Sequence, residues 1–351
     1  MKKIALLSMA GLMVLLFAAG CSDDSGRPAS SGAAAAQGAP SEGTALNGKG
    51  LVIGVSSQHL SNDFNRGLVT GIRARGEELE VELIMANAQG DSNKQVSDLE
   101  NFLARRVNAV IIAGGEGPAF GPVMRQLAQA GIPCITIDVT SEYSICNVTS
   151  DNFNGGEQLA LYVKNKLGGR GNILALDTPG WQSLIIRLRM LDTVIMDYPN
   201  LNVVQLISIP TNDAVNNYYQ QVRSYLQANK NIQAIYCSWG LAAVGAARAV
   251  RELGLTEDIF VVCTDADQVV LQEMLQPDSP LTAVVGQYPL KLGSTSVEMA
   301  ISAARGNTVP QEAYAPIILI EKYDSKAWFS APAIMSPEES WRELYPDAAL
   351  D

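Results

Sequence analysis

Carboxylates, amides and aromatic rings recur at one kind of place in this chain, the first residues after a short apolar run. Asp138 closes Ile135-Thr136-Ile137, Asp265 closes Val261-Val262-Cys263-Thr264, Gln287 follows Val284-Val285-Gly286, and Trp239 follows the run ending at Cys237. Ser56 to Asn62 and Thr178 to Gln182 add further polar positions, among them His59 and Trp181. Ionised carboxylates and amides hydrogen-bond hydroxyl groups, the charged acceptors more strongly. Aromatic faces cover apolar C–H patches. Each position also has a plainer use. On position alone, an aspartate after a strand more often caps the next helix. Asn62 and Gln287 could be turn or capping residues.

Other chemistries find little support. Gly114-Gly115-Glu116-Gly117 lacks the Gly-Lys-Ser/Thr ending of a phosphate loop and has no basic residue to meet phosphate. No G-x-S-x-G or H-E-x-x-H occurs, and His59 is the only histidine, which removes most triad chemistry. With no C-x-x-C spacing and no cluster around that histidine, no metal site is expected. No catalytic residue and no cofactor is expected either.

The elements that must position these residues are legible. Short apolar runs span Leu51–Val55, Val81–Ala86, Ala109–Ala113, Cys134–Asp138, Ile173–Asp177, Val203–Ile209, Ile232–Cys237, Ile259–Asp265, Leu281–Gly286 and Ile317–Ile320. They are continuously hydrophobic, as strands covered on both faces are. Between them, spacings of three and four place Val96, Leu99 and Leu103, then Val123, Leu127 and Ala130, then Leu159, Val163 and Leu167 on single helix faces. Alternating strands and helices predict parallel sheets with right-handed crossovers. Ten such units over about 280 residues exceed one open sheet, so two doubly wound α/β lobes are the natural partition. Ligands of such sheets bind beyond the carboxyl ends of strands, where the polar residues fall.

The chain has 351 residues and a formal net charge of −11, which argues against a nucleic-acid surface. Its start reads as an address. Lys2-Lys3 precede the apolar stretch Ile4–Ala18, then Ala18-Ala19-Gly20 lead into Cys21. The stretch is too short for a comfortable membrane span, and its small-residue end reads as a cleavage site. Residues 1–20 are expected to be a signal peptide, and residues 21–49 a Ser-, Gly- and Ala-rich tether. Cys134, Cys237 and Cys263 sit in apolar runs, where cysteine behaves as a small hydrophobe. With Cys146 they leave disulfide pairing open.

These motifs, in this order, resemble the ribose-binding-protein branch of type I periplasmic binding proteins, over about Leu51 to Lys322. Leu60-Ser61-Asn62-Asp63-Phe64 is similar to the family's ligand-contacting loop. Ile135–Asp138 and Val261–Asp265 are similar to strands ending in ligand aspartates. Ser150-Asp151-Asn152 with Gly155-Gly156 resembles the first lobe crossing, Arg187-Leu188-Arg189 the helix arginine motif, and Gln287 the crossing glutamine. Ala18–Cys21 resembles a lipobox, which implies lipidation at Cys21.

The resemblance implies one lobe of residues 50–150 and 288–314, another of 151–287 and 315–330, a three-segment hinge near Asp151, Gln287 and Ala315, and a tail over 331–351. Trp341, Leu344 and Tyr345 suggest that the tail docks on a lobe. It implies a monomeric, exported, lipid-anchored solute-binding protein, facing the periplasm or the outer side of the cytoplasmic membrane. Such a protein closes on a small sugar or polyol and serves the permease and ATPase subunits of an ABC importer.

The implied ligand set is Asp138 and Asp265 as acceptors, Arg187 as donor, Asn62 and Gln287 as amides, and Phe64 and Trp239 as stacking faces. His59, Trp181 and Asp213 are weaker members. Phe64 could equally be core, and Arg187 a solvated helix residue. Asn65 stands where the family often has a second aromatic, Val139 where ribose binders carry arginine, and Trp239 where asparagine is usual. A pentose, hexose, polyol, cyclitol or signalling furanose therefore stays open. Rivals are a sensory lipoprotein delivering the same ligand signal to a chemoreceptor or kinase, a repressor of the same fold, and a glycosidase. The export signal stands where a repressor would carry its helix-turn-helix. The glycosidase would need Asp138 and Asp265 to flank a scissile bond.

Overall fold

The computed structural model describes residues 46–210, 213–322 and 334–345. The expected signal peptide, Cys21 and nearly all of the expected tether lie outside the described residues.

Two parallel-dominated sheets organise two α/β lobes. The first comprises β1 (Val52–Ser57), β2 (Glu82–Asn87), β3 (Ala109–Ala113), β4 (Cys134–Ile137), β5 (Cys146–Ser150) and β11 (Glu312–Ala315), in the order β11-β5-β4-β3-β1-β2. The second comprises β6 (Arg170–Asp177), β7 (Asn200–Ser208), β8 (Ala234–Cys237), β9 (Phe260–Thr264), β10 (Leu281–Gln287), β12 (Ile317–Glu321) and β13 (Ile334–Met335), ordered β13-β12-β10-β9-β8-β6-β7.

Continuous apolar runs follow from cores on both faces of each sheet. In β3, Ala109, Ile111 and Ala113 enter one core, and Val110 and Ile112 enter the other. The first core is closed by α1 (Asp63–Glu78) and α9 (Pro289–Ala304), the second by α2 (Ser92–Ala104) and α3 (Gly117–Gln129). The second sheet repeats the pattern. Val262 packs toward α4 (Asn152–Lys166) and α5 (Gln182–Ile195). Val261 and Cys263 pack toward α6 (Ala214–Ala228), α7 (Gly240–Glu252) and α8 (Gln268–Leu275). Two glycines let α1 and α9 meet backbone to backbone. A Cβ at Gly71 would lie 2.1 Å from the Leu290 carbonyl oxygen, and one at Gly293 would lie 2.2 Å from that of Leu68.

The chain passes between sheets three times: after Ser150 into α4, after Gln287 into α9, and between β11 and β12. Two expectations need correcting. β12 pairs antiparallel with β10, because the last crossing re-enters the sheet without a helix. β5, β11 and β13 escape the apolar-run criterion. β5 reads Cys-Asn-Val-Thr-Ser and β11 Glu-Ala-Tyr-Ala, the latter an edge strand with one face in water. The tail docks as α10 (Pro337–Leu344), started by a capping box of Ser336 and Glu339, with Trp341 and Leu344 in the second lobe's core.

Cys134, Cys146, Cys237 and Cys263 are buried free thiols. Burial pushes Cys134 up to about 12 and Cys146 up to about 11. They are packing residues.

Candidate functional site

A cavity of about 580 Å³ lies where the carboxyl ends of both sheets face each other. Nine of the ten expected ligand residues line it: His59, Asn62, Phe64, Asp138, Trp181, Arg187, Trp239, Asp265 and Gln287.

The two aspartates share an uncommon backbone. Asp138 has φ 54° and Asp265 φ 77°, the left-handed region that L residues other than Asn and Asp rarely enter. Neither caps a helix. Asp138 is followed by the loop to β5, and the N-cap position of α8 falls two residues beyond Asp265, at Asp267. The capping alternative therefore fails at both. Burial pushes the Asp138 carboxyl up, while the hydroxyl it accepts from (Thr149 Oγ1, 2.6 Å) and nearby Arg187 hold it back.

Arg187 is 2% exposed, which excludes a solvated helix arginine. Its Nε donates to Asn152 Oδ1 (2.8 Å), and its Nη1 donates to the Ser238 carbonyl (3.0 Å) and to Asp265 Oδ1 (3.3 Å). These bonds leave the two N–H groups of Nη2. Asn152 Nδ2 in turn donates to Thr149 Oγ1 (3.0 Å). A hydrogen-bonded chain thus runs Asp138–Thr149–Asn152–Arg187–Asp265 through the first crossing and couples the positions of the two carboxylates. Gln287 Nε2 also donates to Asp265 Oδ1, while its Oε1 is buried with no hydrogen-bond partner. That oxygen is an acceptor placed for a hydroxyl donor. Gly240 lets the start of α7 close on this strand end, since a Cβ there would lie 2.9 Å from the Asp265 carbonyl oxygen.

The aromatic residues serve core and cavity together. Phe64 packs against the first lobe's core, and Trp239 meets Tyr218 edge-on with centroids 6.3 Å apart. Trp181 sits at the N-cap position of α5 and makes no side-chain cap. Asn62 does cap α1, its Oδ1 accepting from the Asn65 N–H at 2.9 Å, which leaves its amide hydrogens. His59 is held by the Asn65 amide (Nδ1, 3.1 Å), and burial lowers its pKa.

One expected residue lies elsewhere. Asp213 is exposed at the start of α6, with φ 49°, and accepts twice from Asn216 Nδ2 (3.0 and 3.2 Å). The first turn of its own helix engages it, and it is absent from the cavity lining.

The expected ligand set left out Asn65, Glu116, Thr178 and Asp267, all in the lining. Asp267 had a signal, standing two residues past a strand end that already carried one candidate. Its carboxyl is pushed up to about 8, first by burial and then by Asp265 and Asp63. It belongs to a contact between lobes. Asp63 Oδ2, from the first lobe, accepts from the Gln268 N–H at 2.9 Å, at the start of α8. In the other direction the Asp267 carboxyl faces the start of α1, where the Phe64 N–H and Arg66 partly offset its raised pKa. The N-terminus of α8 is thus capped from the opposite lobe.

Two α/β lobes with a polar cavity between strand ends define the type I periplasmic binding protein fold. Residues 53–308 match the family described as a periplasmic binding protein domain, and the chain belongs to that family. The ribose import binding protein RbsB of Bacillus subtilis is 28% identical over 276 residues, covering 78% of this chain and 88% of the relative. A solute-binding protein from Agrobacterium vitis, solved with allitol, is 29% identical with a TM-score of 0.74 and covers 85% of this chain and 100% of its own. One from Bacillus halodurans, solved with myo-inositol, is 26% identical with a TM-score of 0.70, over 81% and 99%.

Proposed function

We propose that this chain is the extracytoplasmic solute-binding lipoprotein of an ABC importer and binds a small neutral sugar or polyol between its lobes. Asp138 and Asp265 accept from hydroxyls, Arg187 Nη2 and the Asn62 amide donate, and Gln287 Oε1 accepts at the hinge. Phe64, Trp181 and Trp239 cover the apolar faces of the ligand. The observation that carries this reading is the convergence of two left-handed strand-end aspartates, one from each lobe, on one cavity. About 580 Å³ falls within the range of small-molecule sites, roughly 300–1,000 Å³.

The lining holds Glu116, Asp138 and Asp265 against Arg187, which is already paired with Asp265. That balance disfavours a phosphorylated or carboxylated ligand. Contacts to both lobes exist only when the lobes are together, so ligand shifts the population toward closure. The carboxylates serve to bind, and bound ligand is released unchanged. Cys21 carries the lipid, which a Cys21→Ser variant recovered in the soluble fraction would support.

The deciding experiment is a thermal-shift screen over aldoses, polyols and cyclitols, allitol and myo-inositol included, since a bound ligand raises stability by mass action. A hit should vanish in the Asp138→Ala, Asp265→Ala double variant. Binding that survives both changes, or wild-type protein blind to the whole panel, overturns the reading.

A further inference from the structure

The carboxy-terminal segment reaches the back of the ligand-facing strand ends, from outside the matched span of 53–308. β13 adds itself in parallel to β12, pairing Ile334 with Leu319 and Met335 with Ile320. α10 then lies against the second lobe, where Trp341 and Leu344 share a core with Val270, Leu271 and Met274 of α8. Tyr345 stacks at a tilt on Trp341, with centroids 5.6 Å apart, and its hydroxyl donates to the Ala266 carbonyl at 2.7 Å. Ala266 lies between Asp265 and Asp267, both in the cavity wall. One residue past Gln287, Tyr288 donates its hydroxyl to Glu343 Oε1 at 2.7 Å. α10 therefore touches two of the strand ends that present polar groups to the cavity, without lining the cavity itself.

We propose that Tyr345 is a positioning residue for solute binding, its hydroxyl pinning the Ala266 carbonyl so that Asp265 and Asp267 are held at the angles the site uses. The left-handed backbone of Asp265 is a conformation that its surroundings must hold in place. The Asp265 carboxylate is held by Arg187 and Gln287, and the next peptide is held by Tyr345. Releasing that peptide lets the 265–267 turn sample other conformations. Its two carboxylates then lose registry with the cavity, and the Gln268 N–H with Asp63. This inference rests on the reading of Asp265 as a ligand residue.

The test compares the full-length wild type with Tyr345→Phe, which keeps the ring on Trp341 and removes only the hydroxyl, and with Tyr345→Ala. Native-state hydrogen exchange reports the turn without any ligand. In Tyr345→Phe, exchange at Gln268 and Val270 should rise about tenfold, with β9 and β10 unchanged. With allitol as the titrated probe, the dissociation constant should rise about five- to tenfold, carried by the off-rate. Wild-type exchange at the turn in Tyr345→Phe, with loss only in Tyr345→Ala, would make the residue ordinary packing and overturn the proposal. Should allitol fail to bind the wild type, the strongest hit of the panel takes its place as probe, a panel without hits counts against the ligand class, and the exchange measurement still decides the positioning role.

Discussion

Removing the Asp63 carboxylate should weaken solute binding by roughly fivefold while leaving each lobe intact. Asp63 begins α1 in the first lobe, and its Oδ2 accepts from the Gln268 N–H at 2.9 Å in the second. Its side chain is 18% exposed and also pairs with Arg66, which itself donates to the Leu60 carbonyl. The N-cap residue of α8, Asp267, makes no side-chain cap to its own helix, so the cap comes from Asp63. Losing an N-cap costs about 0.5–2 kcal/mol, typically about 1. At about 1.4 kcal/mol per decade this is roughly fivefold in the dissociation constant, with a range of about 2- to 30-fold. The capping bond needs both lobes together and each lobe keeps its own cores, so the loss should fall on closure and appear in the off-rate. Stopped-flow binding and calorimetry on Asp63→Ala, with the strongest hit of the screen as ligand, measure it. Asp63→Asn, which retains an oxygen acceptor without the charge, should lose less. A dissociation constant unchanged within 1.5-fold would refute the reasoning. So would a ligand-free melting temperature that falls by as much free energy as binding does.

Two further outcomes follow from the same wall of the cavity. The Asp267 carboxyl is raised from its ordinary value of 3.8 to about 8 by burial and by Asp265 and Asp63, against Arg66 and the Phe64 N–H. A raised acid favours the protonated form, so its contribution to the closed arrangement is complete below about 4 and is lost as pH rises through about 8. Solute affinity should therefore fall between about pH 4 and 8 and level off above, and Asp267→Asn should flatten that slope; an equally steep slope in the variant would count against the assignment. Arg187→Ala removes the cation from a buried pair and strands the Asn152 and Ser238 oxygens. Breaking such a pair from one side costs about 3–5 kcal/mol, so denaturant unfolding should show a large loss and binding should disappear.

How much was legible depended on whether the signal was local. β3 runs Ala109–Ala113 as the apolar pattern predicted, because both of its faces are buried and every residue must be apolar. β11 was not legible, because an edge strand with exposed Glu312 and Tyr314 carries no such run. The strand-end positions of Asp138 and Asp265 could be read directly, yet position alone favoured helix capping. Only their left-handed backbone and the element that follows each removed that role. Arg187 could be placed on a helix, but α5 has two arginines, and packing decided that Arg187 is buried and Arg189 exposed. Asp213 and Asp267 show the same limit from both sides. The first is taken by its own helix start, and the second, read as neither ligand nor latch, lies in the cavity wall.

By itself the sequence determined the two-sheet α/β plan and the gathering of polar groups at strand ends, because hydrophobic periodicity and turn chemistry act over a few residues. Tertiary structure alone decided which of those groups share a cavity and which pair across it. Asp63 and Gln268 meet across 205 positions of chain, and Tyr345 reaches Ala266 across 79. No local pattern encodes such meetings; they arise from the way two packed cores bring their surfaces together.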